Sequence, residues 1–379
     1  MRACTIVIVT HKFLTQPGDA LVTFLKRNKS ADVLYICHSF SDAKDRCSSF
    51  SWYKNGSLFR EGKTRDFRGF PELLIYLKEL HFTLLWIFRS GIVWDVYIGM
   101  DGLCILFGNI LRFFGRVKRT VYWAMDFVPQ RRFKSRWENF FYRRINISGY
   151  RRADEMWDLS PRMAEARERS LGVRPSLYRT RKVVPYGVWL EEVQTYPYES
   201  CDRNTLVFMG HLLEKQGVQL VIDAMPAILV RLPDFRFKII GDGRFRVVLE
   251  TLAHDLRVND RCLFLGKIDD HAVLQKAIAT SCAAIAPYIR ALDTWTVYAD
   301  PGKVKEYLAC GVPVLLTDVP WNAREIEAAG CGVVIGEERQ SIVDAVVRAF
   351  DPETNAVMRH RARGYAQTFN YSHIFANIL

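Results

Sequence analysis

The sequence predicts an α/β protein made of two doubly wound, Rossmann-like domains facing an interdomain cleft, on three observations. Short apolar, β-branched runs alternate with amphipathic helical stretches along the whole chain. Several runs end on glycine, as in 206-LVFMG-210, 235-FRFKIIGDG-243 and 262-CLFLG-266. At 379 residues and 49% hydrophobic, the chain is long enough for two cores.

Taken in order, TIVIVT (5–10), ADVLYIC (31–37), WDVYIGM (94–100), RTVYWAMD (119–126) and DEMWDLS (154–160) read as strands of a first buried sheet. CILFGNILRFFGRVKR (104–119) reads as a helix between two of them. VVPYGVWLEEVQTYPYESCDRN then loses periodicity and is rich in Pro, Tyr and polar residues, which places a linker near 188–204. The domains are expected at 1–188 and 204–363, with 364–379 packing back toward the first. In the second half the glycine-ended strands alternate with helices through 218–232, 245–258 and 269–280, followed by CAAIAPY (282–288). The last unit is 300-DPGKVKEYLACGVPVLLTD-318: a short helix with Asp300 as N-cap, Pro301 in its first turn and Gly311 at its end, then a buried strand.

Composition narrows the setting. Nine cysteines form no CxxC pair and no ligand-like cluster, which points to a reduced cytoplasm and makes the sequon Asn146-Ile147-Ser148 incidental. The N-terminal apolar run is too short for a signal peptide, and charges interrupt the apolar region 80–115 well before the ~18 residues a membrane span needs. The net charge is +12. Residues 1–190 carry 33 Lys+Arg against 17 Asp+Glu, so the basic excess belongs entirely to the first half.

Lys303 and Lys305 stand at the positive end of a helix, where lysine has the wrong sign for the macrodipole. If that helix opens into a cleft, the N–H groups of Gly302, Lys303 and Val304 form an anion site and a phosphate is the natural partner. Glu306, a turn and a half in, could accept from the vicinal hydroxyls of a ribose. Lys215, in MGHLLEKQG (209–217), offers a second cation, and Gly241-Asp242-Gly243 offers glycines for close backbone approach. Taken singly, these are surface lysines, a turn and an exposed helix position. Their order on successive strand ends is what points to a nucleoside diphosphate.

In this arrangement the second half resembles the GT-B-fold glycosyltransferases called glycosyl transferases group 1. The resemblance rests on VVPYGV, on Gly210 to Gly217, on Gly241-Asp242-Gly243 and on Pro301-Gly302-Lys303-Val304-Lys305-Glu306-Tyr307 through Val314, and covers roughly 185–350. It implies an NDP-sugar as donor substrate and no cofactor. Lys215 and the backbone around Gly302 to Val304 would hold the diphosphate, and Glu306 the ribose. Two positions depart from the family pattern. His211 stands where a cation, usually arginine, follows the strand-ending glycine, and Tyr298 stands where many members have a sugar-binding glutamate, with Asp300 the nearest carboxylate to substitute. No DxD-like acidic pair is present and no metal is implied.

The first half resembles the family only in architecture. His11 and Gly18, on the loop after the first strand, are expected to face the acceptor. Asp126, ending an inner strand, is either a catalytic base or a turn aspartate. In 131-RRFKSRWENFFYRRINISGYRR-152, eight basic residues interleave with aromatics around a single acid, Glu138. As a helix this suits an anionic membrane surface through Arg131, Arg132, Trp137, Arg143 and Arg144, or else a surface helix with its aromatics in the core.

The leading reading is a cytoplasmic enzyme, peripheral on the inner face of the membrane. It would move a hexosyl group from a nucleotide sugar to a lipid-linked or glycan acceptor in polysaccharide biosynthesis, with retention, without metal and with no nucleic acid as partner. Two alternatives remain at this point: a basic nucleic-acid-binding protein, which leaves the strand-end motifs unexplained, and a GT-B NDP-sugar 2-epimerase.

Overall fold

The computed structural model describes residues 4–12, 16–39, 46–127, 131–172, 180–292 and 296–378. The chain divides into two compact units, Met1–Pro185 and Tyr186–Leu379.

In the first unit the strands are β1 (Cys4–Lys12), β2 (Ala31–Ser39), β3 (Ser48–Lys54), β4 (Ser57–Lys63), β5 (Trp94–Gly99), β6 (Val117–Ala124), β7 (Glu155–Asp158) and β8 (Arg181–Val183). The helices are α1 (Pro17–Asn28), α2 (Glu72–Arg89), α3 (Gly102–Phe113), α4 (Arg136–Arg152) and α5 (Pro161–Leu171). The sheet order is β4-β3-β2-β1-β5-β6-β7-β8. All pairings are parallel except those of the β3–β4 hairpin. That hairpin turns on Asn55-Gly56, both with positive φ (49° and 79°), the geometry of a tight two-residue hairpin turn. The central strands carry Ile6 to Val9 and Val121 to Ala124 buried on both faces, which is why they read as unbroken apolar runs. Helix α3 stops at Phe113, and Gly115 in the left-handed region turns the chain so that Val117 to Arg119 belong to β6.

In the second unit the strands are β9 (Asp202–Met209), β10 (Arg236–Ile240), β11 (Cys262–Gly266), β12 (Ser281–Ala286), β13 (Val314–Thr317) and β14 (Gly332–Ile335). The helices are α6 (Val218–Arg231), α7 (Arg246–Asp255), α8 (His271–Ala279), α9 (Gly302–Ala309), α10 (Ala323–Ala328), α11 (Arg339–Phe350), α12 (Pro352–Ala366) and α13 (Tyr371–Ala376). The sheet is parallel throughout, in the order β11-β10-β9-β12-β13-β14. Its core is apolar: Leu206, Phe208, Val221, Ile222, Phe237, Ile239 and Ile285 are fully buried.

Residues 188–204 contain two 3₁₀ turns and bury Leu190, Val193 and Tyr198. Asn370 bridges to Val188, and Tyr371 packs its ring on Trp189. Asn146 of the sequon is buried and accepts from Tyr122 Oη, so it is closed to glycosylation in the folded chain. No helix among the described residues is long and apolar enough to cross a membrane.

Candidate functional site

In the second unit β9 pairs with β10 on one side and β12 on the other, so the winding reverses between β9 and β12. The crevice outside the carboxyl ends of such a strand pair is where open α/β sheets bind ligands. Four elements converge there on one amine. Lys303, in the first turn of α9, holds its Nζ 4.2 Å from the ring centroid of Phe208 on β9 and 4.8 Å from that of Tyr288, just past β12. It donates at 2.5 Å to Gln216 Oε1 in the turn before α6. A Cβ at Gly210 would come within 3.0 Å of the same Nζ, so the glycine makes room for the lysine.

Helix α9 begins from Pro301 with no side-chain cap, and its first-turn N–H groups lie at the positive end of the dipole. Among the described residues, a Cβ added to Gly302 would meet nothing within 4 Å. Val304 is buried and its amide donates back to Pro301 O at 3.3 Å. Lys215 is half-buried in the turn beside Gln216, its carbonyl accepting from Ile289 N at 3.0 Å. His211 is exposed. A cavity of about 330 Å³ lies at the ends of β13 and β14, lined by Arg290, Thr317, Asp318 and Glu337 among others.

The glycines after β10 have a different use from the one expected. A Cβ on Gly241 would lie 2.0 Å from Gly210 O, and one on Gly243 would lie 2.4 Å from Leu212 O. What the missing side chains admit is the neighbouring strand-end loop, which donates from Gly210 N to Ile240 O and from Leu212 N to Asp242 O.

Two further expectations are corrected. Asp300 neither caps α9 nor offers its carboxylate to a ligand. It is 2% exposed and accepts from Tyr186 N at 2.7 Å, from Trp321 Nε1 at 2.8 Å and from Lys305 Nζ. Lys305 is therefore no surface charge: it is buried, also donates to Tyr186 O at 2.7 Å, and burial pulls its pKa down against the opposing pull of Asp300. The negative partner that Lys305 lacked in the sequence is Asp300.

Glu306 lies largely buried between α8 and α9, where its Oε1 accepts from Gln275 Nε2 at 2.7 Å and stands 3.3 Å from His271 Nε2. The hydrogen bond to Glu306 raises the pKa of His271 above its ordinary value. Tyr307 ties the same helix to the sheet by accepting from Met209 N at 2.7 Å.

In the first unit His11 is a residue of β1 itself rather than of the loop expected after it, and its side chain is mostly buried in a polar cluster. Its Nδ1 lies 2.5 Å from Asp101 Oδ2 and its Nε2 lies 3.0 Å from Glu79 Oε2. Cys104 Sγ lies 3.2 Å from Asp101 Oδ2. The carboxylate of Asp101 and the adjoining Cys104 raise the His11 pKa against the desolvation that opposes it. His38, with its ring centroid 5.6 Å from that of His11, goes the other way: burial lowers its pKa, and it is held by the hydroxyls of Ser48 and Thr83. Sequence reasoning found His11 alone, because Glu79, Asp101 and Cys104 lie 68 to 93 residues away from it. Gly18 is not in a loop. It is buried in the first turn of α1, where a Cβ would press on Met100 Sδ at 2.5 Å. Asp126, just beyond β6, is half-exposed and engaged by the Arg132 guanidinium, which also lies 5.2 Å from the Tyr142 ring centroid.

The basic segment forms α4 from Arg136 onward, capped by Ser135. Its aromatics divide between core and surface. Tyr150 is buried and stacks on Tyr122, while Trp137 is 72% exposed beside exposed Phe140 and Phe141. Arg131, Arg136, Arg143 and Arg144 are exposed. In the same unit Leu73 (68%), Leu74 and Leu77 of α2 and Phe113 (85%) at the end of α3 also face outward.

Residues 203–351 match the family model described as Glycosyl transferases group 1. The chain is 31% identical over 119 residues to an uncharacterized glycosyltransferase of Methanocaldococcus jannaschii, a stretch that covers 31% of this chain and 28% of that protein. It is 27% identical over 165 residues to a GDP-mannose-dependent monoacylated alpha-(1-6)-phosphatidylinositol monomannoside mannosyltransferase of Corynebacterium glutamicum, covering 42% of this chain and 41% of that one. The chain thus spans less than half the length of these curated relatives. By structure it is similar to sucrose-phosphate synthase from Thermosynechococcus elongatus, with TM-score 0.71, 15% identity and coverage of 99% and 97% of the two chains. It is also similar to Anabaena HepE in complex with UDP and glucose, with TM-score 0.66, 16% identity and coverage of 98% and 97%. These likenesses establish the GT-B fold.

Proposed function

We infer that this chain, a GT-B protein of the glycosyl transferases group 1 type, moves a hexosyl group from a nucleoside-diphosphate donor to a lipid-linked or glycan acceptor in cell-surface glycan assembly. The observation that carries this reading is the Lys303 amine, held at the β9/β12 reversal by Phe208, Tyr288 and Gln216 beside the N-terminus of α9, which has no side-chain cap. A diphosphate docked there meets a cation and backbone N–H groups at once, and Lys215 supplies a second cation from the turn before α6. Glu306 then receives ribose hydroxyls, for which it is already positioned by Gln275.

Transfer is with retention. The bond from the anomeric carbon to the β-phosphate oxygen breaks, the acceptor oxygen bonds to that carbon on the same face, and the acceptor proton passes to the departing diphosphate. Protein cations, rather than a metal, neutralise the leaving group. A peripheral position on an anionic membrane at the cytoplasmic face, where a lipid-linked acceptor is presented, is supported by the exposed arginines and aromatics of α4 and the outward leucines of α2.

The test is a panel of nucleoside diphosphates scored by thermal stabilisation, followed by calorimetry with the best of them. Charge-assisted hydrogen bonds contribute roughly 1.5–3 kcal/mol each. Lys303→Ala or Lys215→Ala should therefore weaken binding by about 10- to 100-fold. Variants that bind like the parent, or a panel in which no diphosphate stabilises the protein, refute the donor site.

A further inference from the structure

The first unit has its own reversal point, since β1 pairs with β2 on one side and β5 on the other. At the carboxyl ends of β1 and β5 stand His11, Asp101 and Cys104, and their side-chain donor atoms all lie within 4.8 Å of one another. We propose that His11 Nδ1, an Asp101 carboxylate oxygen and Cys104 Sγ bind one thiophilic divalent cation of the zinc class, with Glu79 orienting the imidazole from behind.

The donor set selects the ion. One imidazole, one thiolate and one carboxylate suit zinc, whereas magnesium and calcium prefer oxygen alone. The spacing is close to what such an ion needs. Bonds of about 2.0 Å to nitrogen and oxygen and 2.3 Å to sulfur, at tetrahedral angles, separate the donors by roughly 3.3–3.6 Å. His11 Nδ1 and Cys104 Sγ are already 3.6 Å apart. Cys104 Sγ and Asp101 Oδ2, at 3.2 Å, must widen slightly, and the His11–Asp101 pair, at 2.5 Å, must open further. That pair now encloses a proton, and a swing of the Asp101 side chain lets a metal ion take its place.

The outer contacts and the charge also fit. A metal-bound histidine ordinarily donates its other N–H to a carboxylate, and His11 Nε2 faces Glu79 Oε2 at 3.0 Å with Glu79 1% exposed. Exchanging one divalent cation for two protons, from His11 Nδ1 and from the Cys104 thiol, leaves the net charge of this buried cluster unchanged. No new uncompensated charge is buried, the condition under which a low-dielectric site can hold an ion. The Asp101 side chain is 31% exposed, so solvent or an incoming ligand oxygen reaches the fourth position. The site is independent of the donor reading and of any metal in the transfer step.

The experiment uses the full chain, stripped with a chelator and titrated with Co²⁺ alone in a Cys4→Ser background, because Cys4 is the exposed thiol. The expected result is one equivalent bound, with thiolate-to-cobalt charge-transfer absorption and the strong visible bands of four-coordinate cobalt, both lost when Zn²⁺ displaces it. Cys104→Ser should abolish the charge-transfer band. Glu79→Gln should keep the band and weaken binding about 10-fold or more. A band that survives in Cys104→Ser, or stoichiometric Co²⁺ that gives no thiolate band, overturns the proposal. Because Cys104 is buried and its variant could fail to fold, X-ray absorption of the zinc-loaded chain without that substitution gives a second measurement. One sulfur among nitrogen and oxygen neighbours supports the site, and a shell without sulfur overturns it.

Discussion

Lys305→Ala should unfold the second unit more readily while leaving the donor site chemically intact. Lys305 is 2% exposed, and its Nζ donates to Asp300 and to Tyr186 O at 2.7 Å. Among the described residues, removing it leaves a carboxylate whose side chain is fully buried with Tyr186 N and Trp321 Nε1 as its donors, and takes the lysine's hydrogen bond from the Tyr186 carbonyl. Breaking a buried pair from one side costs about 3–5 kcal/mol. For a unit of this size, 1 kcal/mol moves the melting temperature by roughly 2–4 °C, so a drop on the order of 10 °C is expected. The assay is urea and thermal unfolding of Lys305→Ala, Asp300→Asn and the double variant, with Lys303→Ala as the comparison. Lys303→Ala should melt like the parent, and the double variant should be much less destabilised than the sum of the singles, because the unpaired buried charge is gone. A Lys305→Ala protein within 1 kcal/mol of the parent would show that the pair contributes little and that the two lysines cannot be separated in this way.

Three further outcomes follow from the same geometry. Glu306→Ala should weaken nucleoside-diphosphate binding by about 10-fold, through hydrogen bonds to a charged group, and should matter far less for a 2′,3′-dideoxy ligand; equal losses for both would move Glu306 off the ribose. If Asp126 accepts the acceptor proton, Asp126→Asn should cost ~10²-fold in turnover at unchanged donor affinity; near-normal turnover would leave it as the holder of Arg132, the contact it makes in the fold. Arg131, Arg136 and Arg144 changed together to Glu should abolish salt-sensitive binding to anionic vesicles without lowering the melting temperature. Arg132 is left out of that set because it engages Asp126, and a parent protein that ignores such vesicles at low salt removes the membrane reading.

The alternation of apolar runs and helices was legible because each central strand is buried on both faces and each helix on one, so burial writes its period directly into local sequence. The β3–β4 hairpin carried a local signal too, Asn55-Gly56 between alternating residues, but its exposed strand β4 lacks the apolar pattern by which the others were found. The motif around Lys303 was also local, since one helix N-terminus and two strand-end loops each sit within a few residues of chain.

What the sequence determined by itself is therefore the class of fold, the order of its elements and the short segments bearing a helix N-terminus, a lysine and a glycine turn. Which strands become neighbours across the reversal points is decided by long-range pairing, and the functional geometry hangs on it. Lys303 and Lys305, two apart, point to nearly opposite sides of α9, so only one of them could face the crevice. Only the packed sheet decided which, by burying Lys305 against Asp300 and setting Lys303 over Phe208 and Tyr288. The His11, Glu79, Asp101 and Cys104 cluster lay beyond sequence reasoning for the same reason. No local period links β1 to α2 and α3, and these side chains meet only because parallel pairing of β1 with β5 brings their carboxyl ends together.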